Sequence, residues 1–247
     1  QEDWEKAIEL LNESLSICQS SGNANLQCST LITMGGVYEA KGQYLKSRQI
    51  LLQAVEIAKN NSLNLQLISA YLNLSDVELN LNELSRAEDH VNRALFLFEL
   101  TGSSRYLTKG LILKARLLEK KGFYENALST SKKAYNQSVN VGSKHEAAES
   151  AQMLSRLFAG RQQFDSAYSY QQISQTCRES IFNEESDKRI QGVRLQLEME
   201  KKEAENLLLQ EEKKTQLAQL ARQQLIITVF IIGLTMLIGI IVAVILF

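Results

Sequence analysis

The sequence contains no proline at all in 247 residues. Nothing therefore breaks a helix from within, and a Pro-rich linker is excluded. Glycine is scarce, at 12 residues, so the composition permits long helices with short joints. Cysteine is scarcer. Cys18, Cys28 and Cys177 are odd in number and far apart, which makes neither a disulfide scaffold nor a thiolate metal motif. They read as small buried apolar residues. An excess of one charge is also missing. The formal net charge is -1, so the chain lacks the basic surface that nucleic-acid binding needs. His90 and His145 are the only histidines, and no HExxH pair, serine elbow or phosphate loop occurs. His90 stands beside Asp89 and His145 beside Glu146, and helix neighbours do not face each other. The expectation is no catalytic, metal or cofactor site. Asn-x-Ser sequons at Asn12, Asn60, Asn73 and Asn136 read as chance in a chain rich in both residues.

What is present is a repeat. Trp4, Tyr44, Leu84, Tyr124 and Phe164 stand forty residues apart. So do Ala7, Ser47, Ala87, Ala127 and Ala167. Leu11, Leu51 and Val91 form a third register, which Ser131 and Gln171 break. Ser14, Ala54, Ala94, Ala134 and Ser174 form a fourth. A large apolar residue followed by a small one three positions later lies on one helix face. The large side chain fills the space between helices, and the small one admits a partner helix. In "LITMGGVYEAKGQYLKSRQILLQAVEIA", Leu31, Met34, Gly35 and Tyr38 line a first helix, and Gly42 marks the turn. Tyr44, Ser47, Leu51 and Ala54 line a second.

These residues resemble the tetratricopeptide repeat, a helix–turn–helix unit. The match continues through Tyr71, Leu74 and Ser75, then Leu111 and Ala115, then Leu154, Ser155 and Phe158, with turns at Gly42, Asn82, Gly122 and Gln162. Two departures, the forty-residue unit and the missing proline, predict longer helices than the usual repeat. Joints are expected at 21–23, 60–62, 101–103 and 141–143. The reading places first helices near 25–41, 64–80, 104–121 and 144–160. Second helices fall near 4–20, 44–60, 84–100, 124–140 and 164–181. The chain opens directly in "DWEKAIELLNESL", already amphipathic helix, and no signal peptide precedes Gln1. The expectation is a chain cut inside a repeating unit, whose first unit lacks its first helix.

The resemblance implies a groove lined by polar positions of the first helices, and hence a protein or peptide ligand. Those positions are Asn73, Asp76, Asn80, Lys109, Arg116, Lys120, Gln152 and Arg156. The later ones are basic, which would suit an acidic stretch; a merely solvated face is the plainer reading. Family members that clasp acidic C-termini use a lysine and asparagine pair where this chain has Ile32 and Gly36, so that activity is not expected.

The period stops after residue 181. From 182 to 224 the chain is rich in Glu, Lys, Gln and Leu. Ile190, Leu197, Ala204, Ala218 and Leu225 share one seven-residue register, interrupted by Glu211. Val193, Leu207 and Ala221 share the other, interrupted by Glu200 and Lys214. This weak heptad pattern fits either a homodimeric coiled coil through 183–224 or a solvated helix. From Leu225 to Phe247 no charge occurs, and the run is long enough for a transmembrane helix. Gly233 and Gly239 are too far apart for a four-residue small-residue dimer motif.

The expected class is all-α: a tetratricopeptide-like solenoid of helical hairpins over 1–181, a long charged helix over 182–224, and one transmembrane helix over 225–247. That order resembles the sensory half of bacterial membrane signalling proteins, in which a histidine kinase or diguanylate cyclase follows the span. The resemblance implies repeats outside the inner membrane, in the periplasm, and a non-catalytic sensory region. The alternatives are a membrane-anchored cytoplasmic scaffold that recruits partners, and a secreted array freed of its apolar tail.

Overall fold

A computed structural model describes residues 2–102 and 106–246, with side chains over 4–102 and 106–236. The described residues form nine helices and no strand: α1 (Glu2–Ser20), α2 (Ala24–Ala40), α3 (Tyr44–Asn60), α4 (Asn64–Asn80), α5 (Leu84–Thr101), α6 (Leu107–Lys120), α7 (Tyr124–Asn140), α8 (Lys144–Gly160) and α9 (Phe164–Leu246). The chain divides into two units, Gln1–Phe182 and Asn183–Phe247.

In the first unit one turn design ends nearly every helix. Backbone φ is positive at Gly22, Gly42, Ser62, Asn82, Gly102, Gly122, Gly142 and Gln162, one position in every twenty. At the first hairpin, the Gln43 amide donates to the Tyr38 carbonyl and the Gly42 amide to that of Glu39, both at 2.8 Å. This pair of bonds satisfies the last helical carbonyls around a left-handed residue. The same pair recurs as Glu83 to Glu78 at 2.8 Å and Asn82 to Leu79 at 3.2 Å. A helix of 17 residues, as in α2, α3, α4, α7 and α8, plus this connector accounts for half of the forty-residue unit. α6 begins at Leu107 rather than near 104; the expected joint at 101–103 lies partly outside the described residues.

The small residues sit where the hairpins close. Ser47, Ala87, Ala127, Ala54, Ala94 and Ala134 are completely buried. A Cβ on Gly35 would stand 2.6 Å from the Leu51 side chain, so α2 and α3 approach more closely there than any other residue allows. Buried hydroxyls turn these contacts into interhelical bonds. Ser47 Oγ donates to the Gly35 carbonyl at 2.7 Å, Ser75 Oγ to Ala87 at 3.0 Å, and Ser155 Oγ to Ala167 at 2.8 Å. Ser174 Oγ donates to the Ala148 carbonyl at 2.8 Å. Ser131, which breaks the third register, is buried and donates to Ala127 at 2.8 Å; Gln171 is exposed. The apolar core has two clusters, one from Cys28 to Leu117 and one from Ala115 to Ala167.

First helices approach one another, α2 with α4, α4 with α6 and α6 with α8; of the second helices, α7 and α9 meet at Tyr135 and Tyr170, whose ring centroids are 5.6 Å apart. The first helices therefore make the inner layer of the array.

In the second unit nearly every described side chain is exposed, including Ile190, Val193, Leu197 and Leu207. Its apolar run makes α9 the one helix, among the described residues, long and apolar enough to cross a membrane. Within it Thr228 Oγ1 donates to the Gln224 carbonyl at 2.8 Å and Thr235 Oγ1 to Ile232 at 2.9 Å. Both hydroxyls are thus satisfied inside the helix, as an apolar surrounding demands. The side chains of 237–247, Gly239 among them, lie outside the description.

Candidate functional site

Gln66, Ser69, Asn73, Asp76 and Asn80 recur at alternating steps of three and four along α4. That spacing keeps them on one stripe of the inner layer. Lys109, Arg116 and Lys120 form the corresponding stripe on α6, and Gln152 and Arg156 on α8.

The structure joins these stripes into cross-links, all but one between successive first helices. Lys109 Nζ donates to Asn73 Oδ1 at 2.6 Å, and an Arg116 guanidinium nitrogen meets Asp76 Oδ1 at 2.6 Å. Asn80 Nδ2 donates to Glu39 Oε1 at 3.1 Å. Arg156 reaches Glu119 at 3.2 Å, and Arg178 of α9 donates to Gln152 Oε1 at 2.6 Å. Nearer the helix starts, Gln66 Nε2 donates to Asn25 Oδ1 at 2.6 Å. Of the eight expected groove residues, Lys120 alone has no such cross-link among the described residues. The later half is therefore less basic than its sequence reads. Arg116 and Arg156 are neutralised by acids one helical layer away.

The sequence reading missed three of the partners: Glu39, Glu119 and Arg178. A signal was available, since Glu39 and Glu119 lie about one repeat before Asn80 and Arg156. Glu39 is the most perturbed of them. Burial, and then the Asp76 charge, push its carboxyl up to about 7; Lys109, Arg116 and the Asn80 bond pull the other way. Near neutral pH this group is poised between its two forms, at the helix-end side of the cross-linked stripe.

His90 does not engage Asp89, its neighbour in sequence. Its Nδ1 lies 2.7 Å from Glu78 Oε2, and its ring stacks on Tyr71 with centroids 5.5 Å apart. Asp89 instead holds Arg93 at 2.7 Å. Glu78 is 1% exposed, so this acid and histidine form a buried pair between α4 and α5, away from the groove. His145 is exposed. Among the described residues no group of three or more His, Cys, Asp and Glu could hold a metal ion.

With this geometry in hand, the comparisons agree on the fold. Residues 1–60 and 26–99 match the tetratricopeptide repeat model. No curated protein matches the chain. Among solved structures, the Rap conjugation gene regulator of the plasmid pLS20, in complex with the Phr* peptide, is 22% identical with a TM-score of 0.63. That match covers 72% of this chain and 50% of the regulator. BtubC (BKLC) from P. vanneervenii is 17% identical, with a TM-score of 0.60, covering 72% of this chain and 74% of its own. A Rap protein complexed with Competence and Sporulation Factor is 12% identical, with a TM-score of 0.54, covering 71% of this chain and 59% of its own. At such identities the likeness shows the fold: an all-α, tetratricopeptide-like solenoid of helical hairpins.

Proposed function

We propose that the chain is the non-catalytic sensory and protein-interaction region of a membrane signal-transduction protein. The inner groove takes a peptide or protein segment. Residues 183–224 pair two copies, and 225–247 cross the bacterial inner membrane from a periplasmic array. The output module, a histidine kinase or diguanylate cyclase, lies on the cytoplasmic side and is not part of this chain. The observation that carries this reading is the content of α9. One helix, Phe164–Leu246, holds in order the last repeat helix, a charged stretch and a run apolar enough to cross a membrane. The groove half of the reading draws support from the Phr* peptide in the pLS20 regulator complex.

The cross-links supply a mechanism. An occupant that takes over Asn73 or Asp76 releases Lys109 or Arg116, and with it a tie between α4 and α6. Signalling then requires that the occupant bind the two arrangements with different affinity.

Topology tests the reading. Cys18, Cys28 and Cys177 would be replaced, Thr101→Cys introduced at the exposed end of α5, and the protein expressed from its complete gene in bacteria. Labelling of intact spheroplasts by an impermeant thiol reagent is the expected result. Labelling only after lysis would put the array in the cytoplasm and favour the anchored scaffold.

A further inference from the structure

At the helix-start end of the inner layer lies a recess of about 310 Å³. Ser29, Ile32 and Thr33 of α2 line it, with Leu65, Gln66 and Ser69 of α4, and Tyr106 just before α6. Among the described residues no charged one lines it, whereas the cross-links one to three turns further along α4 include Lys109, Asp76, Arg116 and Glu39. The recess follows from the repeat. Ser29 and Ser69 occupy the position that Lys109 and Glu149 hold in the next two units. Two long charged side chains there would fill the space with charge; two serines leave it open. Its volume is at the small end of ligand sites and is enough for one large side chain. Leu65, 40% exposed, presents apolar surface that an occupant would remove from water. The rim keeps hydrogen-bonding capacity: Gln66 has given its amide NH to Asn25 and retains its carbonyl oxygen.

Building on the proposed peptide-binding groove, we infer that this recess is a specificity pocket for one bulky, uncharged side chain of the ligand, aromatic or aliphatic with at most a hydroxyl. Ser69 and Asn73 are one helical turn apart, so a chain lying across Asn73 and Asp76 brings a neighbouring residue over the recess. The cross-links hold the backbone and polar groups of the ligand, and the recess selects its anchor. Ile32, Leu65, Ser69 and Tyr106 determine which anchor fits.

The test uses the full chain in detergent and a random dodecapeptide library. Recovered peptides are scanned with alanine, and affinities are read by fluorescence anisotropy. One bulky uncharged peptide residue is expected to cost about tenfold or more on truncation, the behaviour of a buried anchor. Ser69→Trp, which fills the recess, should weaken binding by a similar factor, and should add nothing for a peptide already truncated there. Thr33→Glu, at an exposed position, places a charge on the rim and should do the same without touching the core. If both variants leave affinity unchanged while Asn73→Ala or Arg116→Ala lowers it, the groove stands and the pocket assignment falls. Recovery of no binding peptide overturns the peptide reading of the groove, and the anchor with it.

Discussion

The two units of this protein are built from the same helix and differ in what the helix meets. In the array, Leu51, Val91 and Leu154 are fully buried. In the second unit, Leu197, Leu207 and Leu220 are as apolar and stand mostly exposed. Small residues explain the difference. Gly35, Ala54, Ala94 and Ala134 let helices close on one another; the second unit has long side chains at nearly every position. Helix formation is therefore local in both, whereas burial in the array depends on the neighbouring helices of the hairpin stack, as where Leu51 meets Gly35 and Ser174 meets Ala148. The exposed leucines of the second unit have no such partner within their unit, and a second copy is the proposed one.

The sharpest way to break this comparison is the same substitution in both units. Leu51→Ala leaves a cavity against α2 and should destabilise the array by about 3 kcal/mol, read from the urea midpoint by circular dichroism. Leu197→Ala should leave that midpoint unchanged and instead lower the dimer fraction in chemical cross-linking of the membrane-embedded protein. A Leu197 variant that dimerises as before would break the pairing of 183–224.

Ion pairs sharpen the contrast. His90→Ala removes the hydrogen-bond partner of the buried Glu78 side chain and should cost about 1–3 kcal/mol. Lys202→Ala removes an exposed pair with Glu198 at 3.8 Å and should cost under about 0.5 kcal/mol. Equal costs in the two variants would mean that the Glu78–His90 contact contributes no more than a solvated one.

The repeat period was legible because large and small residues recur in register, and sterics alone make that pattern necessary. The turns were legible through the period. Gly42 and Gly122 announce themselves, and the forty-residue spacing carries the same turn to Asn82 and Gln162, whose residue types alone would not ask for a left-handed backbone. The inner-layer residues were legible as polar positions on first helices. Their cross-links were not, because a bond such as Asn80 to Glu39 depends on how far side chains reach between helices. Glu39 reads as one more solvated acid in the last turn of α2. Glu78 was hidden for the opposite reason: α4 is buried almost all round, and a sequence does not say which of its faces admits a histidine.

Glu39 gives an intermediate effect with a definite sign. Its folded pKa stands at about 7, against an ordinary 4.5, so between those values the folded chain holds a proton that the unfolded chain releases. The associated stability is fully present below pH 4.5 and is lost as pH rises through 7. Glu39→Gln keeps the neutral form throughout. It should therefore be more stable than the parent at pH 8, by about 1–2 kcal/mol once solvent screening is allowed for. The advantage should shrink steadily as the pH is lowered. A difference that does not vary with pH would mean that burial does not raise the Glu39 carboxyl.

The smallest expected effect lies in the turns, which the second unit lacks altogether. Gln162 has φ 60°, where Gly122 has 82° at the equivalent place one unit earlier. A left-handed backbone costs an ordinary side chain about 1–2 kcal/mol, and glycine returns part of that through the greater freedom of its unfolded chain. Gln162→Gly should therefore stabilise the last hairpin by about 0.5–1 kcal/mol. Asn82→Gly should gain less, because asparagine tolerates this backbone. Gly122→Ala should reverse the sign, losing about 1 kcal/mol; no atom lies within 4 Å of the added carbon, so the loss is purely conformational. Urea midpoints of the three variants, ranked Gln162→Gly above Asn82→Gly above Gly122→Ala, check the turn design; any other order would mean that side-chain contacts at the connectors outweigh their backbone geometry.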